Sequence, residues 1–341
     1  MMASFHLVAI AKNEASNIPF WVFHHLAVGF DSIDLYINNT DDNSVEILEC
    51  ISSCGYPVRV FDGDSLYSES RSSGEDFQFS VYKSSLSQFS PGEYICFLDL
   101  DEFLVGPSLN SNLSDIACLG STDFASVSFR WMLDLPSENA PSFAPVLSSR
   151  MPLRKGNPFK SIGLIGRVEF INSHMFSASI DPGTGDFYSR YYSTGARLSS
   201  SVKKGFEGVH NDLEYSSLLD PWFVLHRIHG SECEYLASLM RGRGHKSAAV
   251  DGNSDVLKNN RRGYKTDASF EDKMFKFFDP IELSVYYDRY QNFLRKCSLE
   301  QRLDIARQMV RDREFELREL LASRPSLRAQ YRKQLSGTSL A

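Results

Sequence analysis

Three carboxylates within four residues, Asp99, Asp101 and Glu102, close the apolar run Tyr94-Ile95-Cys96-Phe97-Leu98. Such a run reads as a strand buried on both faces. Carboxylates without partners are too costly to bury, so the acids belong at the strand's exit. The carboxyl end of a parallel strand is where open α/β sheets bind ligands, and an Asp-x-Asp pair there suits a hard divalent cation such as Mg²⁺ or Mn²⁺. The plainer alternative is a solvated acidic loop that caps the next helix.

The elements that would position this motif alternate along the first hundred residues. Leu7 to Ala11 reads as a strand, followed by a helix capped at Ser16, with Pro19 in its first turn and a stop at Gly29. Ile33 to Ile37 is a second strand, Val45, Leu48 and Ile51 mark a helical face closed by Gly55, and Val58 to Phe61 is a third strand. A serine-rich helix from about Glu75 to Gln88 leads to the fourth strand, Tyr94 to Leu98. This alternation predicts a parallel sheet with right-handed crossovers. All four strands end in polar residues: Lys12-Asn13-Glu14, Asn38 to Asp42, Asp62-Gly63-Asp64, and Asp99 to Glu102. That shared rim is the expected site.

Later strands are expected at Phe124 to Trp131, Phe159 to Ile165 and Val168 to Ile171, with Pro136 to Pro158 as a loop over the active face. Asp181 to Gly208 reads as a lid, an acceptor loop or a plain surface loop. Beyond Ser231 the texture is helical and charged. Ser298 to Ser323 reads as an amphipathic helix opened by a Ser298–Gln301 capping box.

The 341 residues are 42% hydrophobic and 23% charged, an ordinary balance for a globular protein with a large core. A formal charge of −7 argues against general nucleic-acid binding. Met1 to Ser4 carry no basic residue of the kind that opens a signal peptide, and no apolar run approaches the ~20 residues of a membrane span. The six cysteines form no Cys-x-x-Cys pair and read as reduced thiols. A cytoplasmic protein is expected, with contact at the inner face of the membrane as a further option.

Taken in order, these residues resemble the family 2 and family 92 glycosyltransferases of the GT-A fold. The resemblance runs through Ala11-Lys12-Asn13-Glu14, Asn39 to Ser44, Gln78 with Tyr82, and Phe97-Leu98-Asp99-Leu100-Asp101-Glu102-Phe103. It continues through Trp131, Phe159-Lys160-Ser161-Ile162, His174, His226 and Met240-Arg241-Gly242. The bacterial branch that joins a Lys-Asn-Glu start to a Phe-x-Asp-x-Asp-Glu-Phe signature is the nearest in pattern. The resemblance implies an α/β, Rossmann-like, mostly parallel sheet flanked by helices over residues 1–245, with a helical extension over 246–341.

It also implies a metal-dependent transfer of a sugar from a nucleotide-diphosphate donor, a UDP-sugar first, to a hydroxyl of a glycan or glycolipid. The transfer would invert the sugar and serve surface polysaccharide, lipopolysaccharide or capsule assembly. Mn²⁺ or Mg²⁺ would sit on Asp101 and His226, with Asp99 in the metal set and facing the donor, and Glu102 orienting the ligands. His229 is the substitute if the register shifts, and a core histidine satisfied by backbone is the alternative for either. Lys12, Glu14, Asn39, Asp42 and Gln78 would line the donor, although Asn38-Asn39 stands where many relatives carry two acids. Lys160, Arg241 and Arg243 are the cations able to stabilise a leaving diphosphate. For the base that deprotonates the acceptor, the sequence nominates Asp134 and Glu169. The Glu-Asp pair that supplies it in many family 2 enzymes is not found here.

Two other classes stay open. A haloacid-dehalogenase-like phosphatase also places two Asp after an apolar strand, but expects Thr or Val where this chain has Phe103, and carries its motif near the first strand. A non-catalytic glycan-binding protein on the same fold is the other. The tail is rich in arginine, with Arg302, Arg307, Arg311 and Arg313 among others, and its acids offset much of that charge. It reads as an element for packing or homodimerisation, or for meeting a membrane surface, outside the chemistry.

Overall fold

The computed structural model describes residues 4–170, 174–198, 219–241, 257–258, 261–269 and 271–341. It is a mixed α/β protein. The first half runs β1 (Phe5–Ala11), α1 (Ile18–Val28), β2 (Ser32–Ile37), α2 (Ser44–Ser53), β3 (Val58–Asp62), α3 (Gly63–Ser73), α4 (Phe77–Leu86) and β4 (Tyr94–Phe97). Then come β5 (Glu102–Val105), the long β6 (Phe124–Asp134) and β7 (Arg150–Leu164), the small pair β8 (Val168–Phe170) and β9 (Phe176–Ala178), β10 (Ser189–Tyr192) and β11 (Phe223–His226). The last part holds α5 (Glu232–Met240), β12 (Met274–Phe277), α6 (Pro280–Lys296), α7 (Glu300–Ser323), α8 (Pro325–Gln330) and α9 (Arg332–Leu335).

The main sheet has the order β3-β2-β1-β4-β7-β6-β11-β5, with β10 on β6 and β12 on β7. Pairs β3-β2, β2-β1 and β1-β4 are parallel, β7 is antiparallel to both β4 and β6, and β11 is parallel to β6. It follows that β1 to β4, β6 and β11 all point the same way. Their carboxyl ends share one rim, as the polar strand exits predict.

Several expected boundaries move. Asn17, not Ser16, precedes α1, but the stop holds: Gly29 turns at φ 111°, and its N–H reaches the carbonyls of His25 and Leu26. The helix expected from about Glu75 to Gln88 is α4, capped by Asp76, and it is preceded by α3, which the sequence reading did not mark, capped by Asp62 and ended by Gly74 in the left-handed region. The stretch expected as a loop from Pro136 to Pro158 gives way at Arg150 to β7, whose register against β6 shifts between Arg130 and Met132. The irregularity takes up the extra residues around Gly156 and Pro158, which a regular ladder would not tolerate. The Ser298–Gln301 box does not form. Ser298 has a φ of 53°, and α7 starts after Leu299 with no side-chain cap.

The core explains why α1 is apolar on every side. Such a helix must be covered all round. Trp21 and Val22 are buried in the main core, while Phe20 and Phe23 meet Tyr286, Tyr290 and Phe293 of α6. His24 links the two helices, taking a hydrogen bond from the Tyr286 hydroxyl at 2.7 Å and donating to the Leu104 carbonyl at 2.8 Å. The C-terminal helices therefore share the core of the sheet. Among the described residues, no helix is long and apolar enough to cross a membrane.

Candidate functional site

The chain leaves β1 toward β2 and β3, then returns on the other side of β1 to form β4. Open α/β sheets bind ligands at the carboxyl ends beside such a reversal. Here the two exits are Asn13-Glu14 and Asp99 to Glu102. Asn13 and Asn39 both adopt positive φ, 53° and 46°, where the chain breaks away from β1 and β2. Asparagine tolerates that region better than most residues. The bends interlock, since Asp41 N–H donates to Asn13 Oδ1 at 2.8 Å and Asn39 N–H to Asp64 Oδ1 at 2.6 Å.

The acidic turn is held from behind. Trp21 Nε1 of α1 donates to the carbonyls of Asp99 and Glu102, at 3.0 and 2.9 Å. The Asp99 N–H donates to Glu102 Oε2 at 2.8 Å. Glu102 is fully buried and faces the equally buried Lys160 of β7, with Nζ 3.0 Å from Oε2. Burial pushes the Glu102 carboxyl up to about 7 against the pull of the ammonium. Lys160 is raised in spite of its burial, because Asp99 and Glu102 both face it. Glu102 is thus a buttress of the turn.

Lys160 Nζ also lies 3.6 Å from Asp99 Oδ2, and the Asp99 carboxylate is half exposed. Tyr82 is packed close by, stacked on Phe97 at 4.0 Å and bonded by Gln78 Nε2 at 2.9 Å. The nearby His174 is pressed down to about 4, first by burial and then by the Lys160 charge. Gln78, Asp99 and Lys160 therefore share one neighbourhood.

Asp101 turns elsewhere. In the ladder β11 places His226 opposite Glu102, and the Arg227 N–H donates to the Asp101 carbonyl at 2.8 Å. His226 Nε2 then lies 3.5 Å from Asp101 Oδ2, with the ring packed on Trp131 at 4.1 Å. Burial would raise the Asp101 carboxyl, but His226, Arg261 and Arg241 hold it well below the usual carboxylate range. Two lone-pair donors so disposed fit one hard cation that draws its other ligands from phosphate oxygens and water. Among the described residues His226 Nδ1 is buried without a partner, and Asp101 faces the ring's other nitrogen. Among the described residues no third His, Cys, Asp or Glu joins them. Asp99, expected in the metal set, is directed to Lys160 instead.

A cavity of about 220 Å³ opens beside Asp101. Asn13 and Glu14 line it from the turn after β1, Phe143 to Val146 from the loop before β7, and Tyr287, Tyr290, Arg307 and Arg313 from α6 and α7. The tail therefore forms part of the wall, where the sequence reading set it apart. Arg241 reaches the cavity but pairs with Glu14, whose carboxyl is raised by burial and pulled back by that arginine. His229 lines the same space and is held down to about 3, chiefly by burial and Arg261.

The other sequence candidates are placed as follows. Lys12 is half-buried and lowered by desolvation, with Asp41 and Arg241 nearby. Asn39 is exposed on the rim. Asp42 is structural, accepting from Ala15 N–H and Ser44 N–H, each at 3.0 Å. Asp134 ends β6 with its carboxyl raised by burial, Arg227 and Glu234 acting on it, and is not on the cavity wall. Glu169 is exposed on the β8–β9 hairpin, paired with Ser177, and does not reach the site. Arg243, Gly242 and the part of Asp181 to Gly208 beyond residue 198 lie outside the described residues. The sequence reading missed Arg227, Arg261 and Phe143. Arg227 adjoins the histidine candidates, which was a usable signal; Arg261 and Phe143 sit in stretches without periodicity. Neither protein-family models nor curated proteins give a match to this chain.

Proposed function

We propose that this chain is a nucleotide-sugar-dependent glycosyltransferase of the GT-A kind. The observation that carries the reading is the meeting of Asp101 and His226 at the sheet's reversal point, beside a cavity rich in arginine. Mn²⁺ or Mg²⁺ would be held by Asp101 and His226 and would supply charge neutralisation to a departing diphosphate. Arg241 and Arg261 add fixed positive charge at the same place, in a buried setting where it counts for more than in water. On the other side of the turn, the half-exposed Asp99 and the partly buried Gln78, backed by the buried Lys160, offer polar groups suited to the donor's sugar hydroxyls. Glu102 and Trp21 keep both aspartates in place.

The phosphatase reading draws less support, because the acidic motif follows the fourth strand of the sheet and not its first. The test is turnover: wild type with Mn²⁺ and a panel of UDP-, GDP- and dTDP-sugars should release the nucleoside diphosphate from one of them. Release without any need for Asp101, or no release or binding across the panel, would remove the proposal.

A further inference from the structure

The cavity beside Asp101 has an unbalanced wall. Arg227, Arg241, Arg261, Arg307 and Arg313 line it, against three carboxylates. All three acids are engaged. Glu14 holds Arg241, Asp101 faces His226 and Arg261, and Glu234 Oε2 accepts from the Ser231 hydroxyl and from the Phe143 N–H. Arg227 donates to the Ala144 carbonyl at 2.9 Å, and Arg313 pairs with Asp41 at 2.7 Å, outside the cavity's own acids.

That leaves Arg307. Among the described residues it faces no carboxylate, and its Nε is buried without a partner. Its guanidinium lies 5.5 Å from the ring centre of Phe143. Phe143 itself holds a φ of 60°, strained for an aromatic residue, and its N–H is tied to Glu234 at 3.1 Å. Arg261 Nε and His229 Nδ1 are likewise buried and unpartnered, and both belong to the same wall. Leaving a buried donor unmade costs about 1–3 kcal/mol, so two such arginine donors on one wall, beside an unpaired imidazole nitrogen, point to a ligand rich in acceptors. With cations in excess, that ligand is an anion.

Asp99, Gln78 and Lys160, the polar surface assigned to the donor sugar, do not line this cavity. Asp101 does. We propose that the wall built by α7 is the acceptor side of the site, and that it takes an acceptor bearing a phosphate or a carboxylate, gripped by Arg307. This rests on the transferase reading above. Arginine suits the task because its planar fork matches both groups bidentately. The tail helix is then part of the substrate specificity of the enzyme.

The experiment is calorimetric binding to the full chain, with glucose 1-phosphate, glucuronic acid and glucose as probes, and with UDP plus Mn²⁺ as a separate arm. Wild type should bind at least one anionic probe about tenfold or more tighter than glucose, and Arg307→Gln should lose that preference. Arg307→Lys, which keeps the charge and loses the fork, should fall between. The tighter of the two anionic probes identifies the group. Equal binding of glucose and both anions, or an unchanged preference in a folded Arg307→Gln protein, overturns the inference. Failure of UDP and Mn²⁺ to bind wild type, with the Arg307-dependent preference intact, removes the transferase reading and leaves the anion site.

Discussion

Asp101 Oδ2 and His226 Nε2 lie 3.5 Å apart, although β4, which Asp101 follows, and β11, which His226 ends, do not pair with one another. The short β5 makes the connection. It leaves the acidic turn at Glu102 and runs antiparallel to β11, so that Glu102 and His226 face each other in register. Asp101, one residue earlier, is delivered to the imidazole by the turn.

Replacement of that carboxylate is the first prediction. Asp101→Asn removes a charge surrounded by His226, Arg261 and Arg241 without changing shape. Loss of one preorganised electrostatic group of this kind costs about 10²–10³ in rate. UDP and Mn²⁺ should raise the melting temperature of wild type by mass action on the native state and leave the variant nearly unmoved. Equal stabilisation of the two proteins would show that Asp101 has no part in binding.

The C-terminal helices carry the second prediction. Phe293 of α6 is buried, with its ring 5.8 Å from Phe23 and 4.9 Å from Tyr56. Phe293→Ala should cost about 3–5 kcal/mol through lost burial and the cavity left behind. Ile281 on the same helix is 76% exposed, so Ile281→Ala should change little. Urea denaturation of both variants makes the comparison, and a Phe293→Ala protein as stable as wild type would mean that the tail is a separate folding unit.

What the sequence made legible follows from which signals are local. Gly29, the apolar strands and the polar strand exits state their roles within a few residues, and these elements stand where they are expected. The division of labour within Asp99-Leu100-Asp101-Glu102 is not local. It depends on Lys160 arriving from β7 and His226 from β11, strands separated from the motif by long stretches of chain. The amino-terminal part of β7 was hidden because Pro152 and Pro158 make it read as a loop, while its partners, β6 and β12, supply the pairing. Likewise the place of the tail's arginines is not local: α7 carries Arg307 and Arg313 to the cavity wall while its Leu317 and Leu321 pack with Tyr235, Leu236 and Leu239 of α5.

A third prediction concerns acid. Burial lowers His24 to about 4, and its neighbour His25 lies well below its ordinary value for the same reason. A lowered histidine contributes stability that is complete above the unfolded value of 6.5 and is lost as pH falls toward 4. For His24 alone the span is worth about 3 kcal/mol. Glu102 works in the opposite sense, because a carboxyl raised to about 7 becomes easier to bury as pH falls. Glu14 and Asp134, also raised by burial, side with Glu102, but His6, His25, His174 and His229 side with His24 and outnumber them. The urea midpoint should therefore drop between pH 6.5 and pH 5. A flat midpoint over that range would contradict the buried, neutral histidines.

The last prediction separates support from chemistry behind the acidic turn. Lys160 and Glu102 are both buried to within 1% of completely, and their contact is 3.0 Å. Breaking a buried pair by removing one partner is costly, about 3–5 kcal/mol, because the other charge stays behind. Lys160→Met should destabilise by that amount, softened by Glu102 taking up a proton, for which its raised carboxyl is prepared. Glu102→Gln should be milder in stability, since the amide can still meet the Asp99 N–H, but it weakens the hold on the turn that presents both aspartates. The double variant Lys160→Met, Glu102→Leu removes both charges and should recover much of the stability lost in Lys160→Met alone. It should not recover binding of UDP and Mn²⁺, because the turn loses its bond to Asp99 and Asp99 loses its ammonium neighbour. A double variant that is stable and binds as wild type would show that the pair is only a filler of the core, with no role in placing the site.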